Sequence, residues 1–174
     1  MESKKIKVII GLGNPGHQFE YNRHNIGFLV ADALIDKYNG AWQNNDLMDY
    51  ASVNIDGQNV FVIKPQTFMN SSGKISLWLK KKGIKDDEVI VVQDDLEKPF
   101  GAVSIKEGGS ARGHNGVKSL MELFGANFYR LRCGIGRPEK KSEVADYVLS
   151  NFIEGEDLVG EMIQESVKQI EESL

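Results

Sequence analysis

G-L-G-N-P-G-H-Q-F-E-Y-N-R-H-N-I-G, from Gly11 to Gly27, gathers glycine and polar residues between an apolar run, Ile6 to Ile10, and an amphipathic segment starting at Ile26. The pattern predicts a strand, a turn and a helix, with Asn14, Arg23, His24 and Asn25 at the junction. In open α/β sheets ligands sit in the crevice at the carboxyl ends of strands. This stretch therefore sets the fold class and marks where chemistry belongs.

Downstream of the turn, Ile26, Leu29, Val30, Ala33 and Leu34 recur at helical spacing until Asn39-Gly40. Ala51 to Ile55 and Asn59 to Ile63 flank Asp56-Gly57, a hairpin signal, and Pro65, lacking a ladder donor, stops the second strand. The spacing predicts a helix over 71–82 with Ile75, Trp78 and Leu79 inward, and Gly83 as its stop. Val89 to Val92 reads as a central strand, with further strands at Ala102 to Lys106 and Tyr129 to Ile135. Between these two lie a glycine-rich loop, Gly108 to Gly113, and a helix presenting Val117, Leu120, Met121 and Phe124 on one face. Helices over 142–149 and 156–173 close the chain. Strands alternating with helices, plus one hairpin, predict an α/β fold: a single three-layer domain over residues 1–174, with a twisted mixed sheet flanked by helices.

The 174 residues suffice for one hydrophobic core. The lone cysteine, Cys133, excludes an intrachain disulfide, fits a reducing compartment and reads as an inert core thiol. No apolar run approaches the roughly 18 residues of a membrane span, and Met1 to Lys5 is too short for a signal peptide. The expectation is a soluble, cytoplasmic protein with no membrane association. Net charge is −4, but seven carboxylates face one lysine from Glu154 onward, so the preceding body is mildly basic. A basic body leaves room for a local phosphate-binding surface.

Four polar clusters fall after a strand or at a helix start: Asn14 with His24, Asn70, Asp94-Asp95, and His114-Asn115. Mostly parallel strands would converge them at one sheet edge. One imidazole base, carboxylates and carboxamides suit water attack on a carbonyl. The bland alternatives are equally specific. Asn25, Asn70 and Asn115 stand where helix caps belong, Asp94-Asp95 suits a turn, and His17 reads as solvent-facing. Gly11-x-Gly13-x-x-Gly16 matches the dinucleotide fingerprint only literally, because Pro15 interrupts it and the helix pattern starts late. No Walker loop, G-x-S-x-G elbow or zinc spacing is present.

Six motifs carry a family likeness: G-L-G-N-P-G (11–16), N-R-H-N-I-G (22–27), K-P-Q-T-F-M-N-S-S-G (64–73), D-D-L-E-K-P-F-G (94–101), G-G-S-A-R-G-H-N-G-V-K-S (108–119) and L-R-C-G-I-G-R-P (131–138). Each alone is weak; together, in order from about Lys5 to Phe152, they closely resemble the bacterial-type peptidyl-tRNA hydrolases. The resemblance implies hydrolysis of the ester joining a peptide to the 3′ ribose of tRNA, by a monomer with peptidyl-tRNA as partner and no metal or organic cofactor. It implies His24 as the base that activates water, Asp94 as its orienting carboxylate, and Asn14 as the residue holding the acyl side and sparing unblocked aminoacyl-tRNA. Asn70 and Asn115 match the carboxamides that bind the 3′ end and peptide backbone, with Phe68 and Met69 as the apolar wall beside them.

Some positions depart from the family pattern. Phe19 stands where tyrosine is usual and keeps only the ring, Asn22 replaces threonine, and Gln93 replaces a residue that is often histidine. Ser104 falls where many members carry a tRNA-binding lysine. Lys106, Arg112, Lys118, Arg130 and Arg132 remain as basic candidates, with Arg132 the first choice for a tRNA phosphate. The alternative reading is a non-catalytic RNA-binding relative of splicing-factor type. Retention of Asn14, His24, Asn70, Asp94 and Asn115, and the absence of a transit peptide, weigh toward the enzyme. A nucleotide-dependent oxidoreductase ranks third.

Overall fold

The computed structural model describes residues 5–174; the reading of Met1 to Lys5 as too short for a signal peptide falls, up to residue 4, outside them. Seven strands form one sheet: β1 (Val8–Gly11), β2 (Gln43–Asn44), β3 (Met48–Ile55), β4 (Gln58–Pro65), β5 (Val89–Asp95), β6 (Val103–Glu107) and β7 (Tyr129–Gly134), in spatial order β2-β3-β4-β1-β5-β7-β6. The inner strands β4, β1, β5 and β7 are parallel, and the edges β2, β3 and β6 are antiparallel. The expected mixed α/β sheet is borne out. The chain leaves β1 toward β4 on one side and then crosses to β5 on the other, which opens a crevice at their carboxyl ends.

Five helices cover the sheet: α1 (Ile26–Lys37), α2 (Ser76–Lys81), α3 (Asn115–Leu123), α4 (Val144–Val148) and α5 (Glu156–Glu172). Two apolar clusters lie on opposite faces. One joins Ile9, Ile90 and Leu131 to Val30, Leu34, Val159 and Ile170 of α1 and α5. The other joins Val8, Val91 and Ile63 to Leu79, Val117 and Leu120 on the α2–α3 side. Residues two apart on a strand point the same way, so alternate residues of β1 and β5 feed alternate layers. No helix among the described residues is long and apolar enough to cross a membrane.

The opening stretch is shaped by close approach. A Cβ on Gly11 would lie 2.2 Å from the Gly27 carbonyl oxygen, and one on Gly27 would lie 2.4 Å from the Leu12 nitrogen. The two ends of the quoted stretch therefore touch each other, and α1 packs onto the end of β1 with no side chain between them.

Several boundaries differ from the sequence reading. The helix expected over 71–82 begins as a 3₁₀ stretch, Met69–Ile75, and becomes α-helical only at Ser76. Ser72 and Ser76 hydroxyls donate to the carbonyls of Met69 and Gly73, competing with regular helical bonding. Gly73 also packs against α3, where its N–H donates to Ser119 Oγ at 2.8 Å. The short edge strand β2 has no sequence signal, and both its residues are exposed. β5 runs through Gln93-Asp94-Asp95, so those carboxylates end a buried strand and do not form a turn.

Candidate active site

His24 lies in a 3₁₀ turn, Arg23–Asn25, immediately before α1. Its side chain is 11% exposed and its Nδ1 faces both oxygens of Asp94, at 2.8 and 3.0 Å. A carboxylate that accepts from Nδ1–H leaves Nε2 as the open basic nitrogen. Burial alone would lower the His24 pKa, but the Asp94 charge and the hydrogen bond to it outweigh burial, so it lies above 6.5. Burial would raise the Asp94 pKa; the His24 and His114 rings beside it reverse that and hold the carboxyl well below the usual carboxylate range. The carboxylate form of Asp94 is thus the favoured one beside the two imidazoles.

His114 is the participant missed when site residues were chosen from the sequence. Its Nε2 meets Asp94 Oδ1 at 2.9 Å, and its ring centroid lies 4.9 Å from that of His24. Its Nδ1 accepts the Val117 N–H at 3.3 Å, so His114, not Asn115, caps α3. The signal was the histidine beside Asn115 in G-H-N-G, at a helix start where a side-chain acceptor is needed.

His24, Asp94 and His114 bring three possible metal-ligand atoms within 4.8 Å of one another. The cap decides against a ligand role. A ring that accepts at Nδ1 carries its proton on Nε2, and that N–H already points at Asp94. A metal on Nε2 would require an imidazolate or the loss of the α3 cap. The three residues form a hydrogen-bonded carboxylate with two imidazoles and do not fit a metal centre.

Asn25 does not cap a helix with its side chain. It binds the Asn14 backbone from both sides: Nδ2 donates to the Asn14 carbonyl and Oδ1 accepts the Asn14 N–H, each at 2.9 Å. Asn14, buried to 7% exposure, accepts the Met69 N–H on Oδ1 at 2.7 Å, leaving its amide NH₂ as donor. Met69 reaches Asn14 because Phe68 adopts φ 63°, a strained conformation for a residue with a Cβ. Phe68 itself is 52% exposed. Asn70 and Asn115 are exposed at their helix starts, and neither supplies a side-chain cap. Phe19 is half-buried in the 3₁₀ turn His17–Phe19. His17, exposed, pairs with Glu20.

All four polar clusters lie toward the carboxyl edge of the parallel strands, as expected. Three get there directly, after β1, β4 and β5. The fourth arrives by a different route, because β6 is antiparallel and ends at the far edge. The loop 108–113 returns across the sheet over Arg130, which donates to the Gly108 and Ser110 carbonyls. Gly108, Gly109 and Gly113 take positive φ there.

A cavity of about 430 Å³ opens above His24 and Asp94. Val144, Ala145 and Val148 of α4 line it, as do Arg112, Arg130, Arg137 and Lys141 together with Asp95 and Glu97, the last paired with Arg137. Arg132 and Ser104 are opposite one another in register, as are Arg130 and Lys106, so all four share one face of the β6–β7 ribbon. Arg132 NH1 is 3.4 Å from Asp95, while its Nε and the Ser104 hydroxyl are buried without a partner. Lys106 is exposed. Cys133, on the other face, has its thiol pushed up to about 12 by burial and is bonded to Ser166.

A sequence model described as peptidyl-tRNA hydrolase matches residues 8–174. A peptidyl-tRNA hydrolase from Fervidobacterium nodosum is 40% identical over 170 residues, covering 95% of this chain and 89% of its own length. One from Sulfurimonas denitrificans is 45% identical over 170 residues, covering 94% and 88%. The crystal structure of peptidyl-tRNA hydrolase from Acinetobacter baumannii superposes with a TM-score of 0.87 at 30% identity, covering 99% of this chain and 94% of that one. By sequence and by structure, this chain belongs to the peptidyl-tRNA hydrolase family.

Proposed function

We propose that the chain, as one domain, hydrolyses the ester between the peptide and the 3′ ribose of peptidyl-tRNA, with His24 as general base. The observation that carries this reading is the His24–Asp94 pair: Nδ1 is engaged by a buried carboxylate, and the ring lines the cavity. Nε2 takes a proton from water as the water oxygen bonds to the ester carbonyl carbon. The tetrahedral intermediate collapses, the ribose 3′ oxygen leaves with the proton held by the imidazolium, and the peptide acid departs. Asp94 stabilises the charged ring between the two transfers. His114 holds the same Asp94 oxygen, Oδ1, through its Nε2–H.

The amide NH₂ of Asn14 is the donor for the acyl side of the substrate. A blocked substrate offers it an amide carbonyl oxygen as acceptor, whereas a free ammonium has only donors to offer and is repelled. Asn70 and Asn115 supply exposed carboxamides for the 3′ end and the peptide backbone. Phe68, next to Met69, and Phe19 offer ring faces to a base. Arg132 and Lys106 bind phosphate without reading sequence, as an enzyme acting on many tRNAs requires. The protein works as a metal-independent monomer, and a reducing compartment such as the cytoplasm accords with its single buried thiol. No observation favours the non-catalytic alternative.

The test is to incubate N-acetyl-aminoacyl-tRNA and the unblocked aminoacyl-tRNA with the protein and follow acyl release. Rapid loss of the blocked form alone is expected. Loss of neither form, or of both equally, would refute the reading.

A further inference from the structure

The α4 wall of the cavity that His24 lines is tied to the body by the residue next to His24 in sequence. α4 spans five residues and buries none of them, yet it supplies one side of the cavity. So short a helix does not hold itself in place by its own hydrogen bonds. Arg23 provides the attachment. Its guanidinium, buried with the residue at 4% exposure, lies over the Tyr147 ring, 4.0 Å from the centroid. NH1 donates to the carbonyl of Tyr147, in the last turn of α4, at 3.1 Å and to that of Ser150, just past its end, at 3.5 Å. The Arg23 backbone N–H adds a bond to Ser150 at 3.1 Å, and Asn22 donates to Asn151 at 2.7 Å. The Tyr147 hydroxyl in turn donates to the Ile135 carbonyl at 2.5 Å, beyond β7.

Arg23 forms no ion pair among the described residues, and its Nε is buried without a partner. A buried cation without a counter-ion is costly to keep, and here its donors are directed at α4. The other two residues of the turn have partners of their own. His24 is held by Asp94, and Asn25 by Asn14.

We propose that Arg23 is a positioning residue: it clamps α4 through Tyr147 and Ser150, and so fixes the apolar wall against which the substrate packs over His24. The inference rests on the hydrolase reading of the cavity. Releasing the clamp loosens substrate binding while the proton transfer stays intact.

The experiment compares steady-state hydrolysis of N-acetyl-aminoacyl-tRNA by wild type, Arg23→Met, Arg23→Lys, Tyr147→Leu and the Arg23→Met/Tyr147→Leu double variant, with a Tm for each. KM is expected to rise about tenfold in Arg23→Met and in Tyr147→Leu, with kcat within about threefold and the pH midpoint unmoved. The double variant should be no worse than either single one, because both break one clamp. Arg23→Lys should recover part of the loss, since an ammonium restores the charge without the planar fork. Tyr147 is half-exposed, so Tyr147→Leu keeps the idea testable even where Arg23→Met fails to fold. Unchanged KM beside a lowered Tm would overturn the clamp, as would a collapse of kcat with a displaced pH midpoint. The two readings fail separately: an inert wild type refutes the hydrolase, whereas an active wild type with Arg23 variants at wild-type KM refutes the clamp.

Discussion

Asp94→Asn removes one charge and almost no volume from the centre of the site. The carboxylate lies 2.8 and 3.0 Å from His24 Nδ1, and imidazolium charge is shared between both ring nitrogens, so an effective separation of about 4 Å applies. At an effective dielectric of about 20 this attraction is worth about 4 kcal/mol for full charges. With roughly half the proton transferred in the transition state, about 2 kcal/mol is lost, plus about 1 kcal/mol for a weaker, neutral hydrogen bond. The sum of about 3 kcal/mol corresponds to a fall in kcat of about 100- to 1,000-fold.

The same substitution changes the pH dependence. Burial is the factor that lowers the His24 pKa, and Asp94 is what overrides it. The acidic limb of kcat/KM is therefore expected to have its midpoint above 6.5 in the wild type and below 6.5 in Asp94→Asn. Single-turnover hydrolysis of N-acetyl-aminoacyl-tRNA between pH 5 and 9 measures both effects. Activity within about threefold of wild type, or a midpoint that does not move, would refute the electrostatic argument.

Stability should follow the same pair. The depressed Asp94 pKa contributes stability above the unfolded value of about 3.9, which is lost as pH falls through the folded value. The raised His24 pKa contributes below about 6.5, and that part is lost as pH rises through the folded value. The excess Tm of wild type over Asp94→Asn should therefore be greatest between these limits and shrink on either side.

Gly27→Ala forces a Cβ to within 2.6 Å of Leu12 and Val92 backbone atoms that cannot swing aside. A loss of at least about 3 kcal/mol, or about 6–12 °C in Tm, is expected by thermal melting; an unchanged Tm would show that α1 can shift. Phe68→Gly relieves the positive φ at the cost of the exposed ring, so Tm should rise by the equivalent of about 1 kcal/mol while KM for the tRNA substrate increases. A fall in Tm would mean that the ring, not the strain, dominates stability there. Arg132→Ala should weaken tRNA binding and reduce the slope of log K against log salt by about 1, with the rate at saturation largely intact. An unchanged slope would place the phosphate contact on a neighbour such as Arg130.

The sequence carried the sheet class and the placement of His24 between β1 and α1 because both depend on local signals: an apolar run, a glycine turn and a helical period. It was less informative where tertiary contacts choose among local options. Asp94-Asp95 has turn composition, yet pairing with β7 keeps it in strand to its last residue. Asn25 has cap chemistry, but the neighbouring Asn14 backbone takes both ends of its carboxamide. His114 was visible as a residue but not as a partner of Asp94, since a loop that recrosses the sheet brings it there. A glycine-rich turn suggests conformational freedom. At Gly11 and Gly27 the requirement is contact distance, and only Gly16 in that stretch takes a positive φ.

The central claim is that His24 moves the proton, and its most direct test is single-turnover release of the acyl group from N-acetyl-aminoacyl-tRNA by wild type and His24→Ala at saturating enzyme. General-base catalysis is worth about 10²–10⁴, so a fall of several hundred-fold or more is expected, with tRNA binding retained. Equal rates for the two proteins would contradict the assignment.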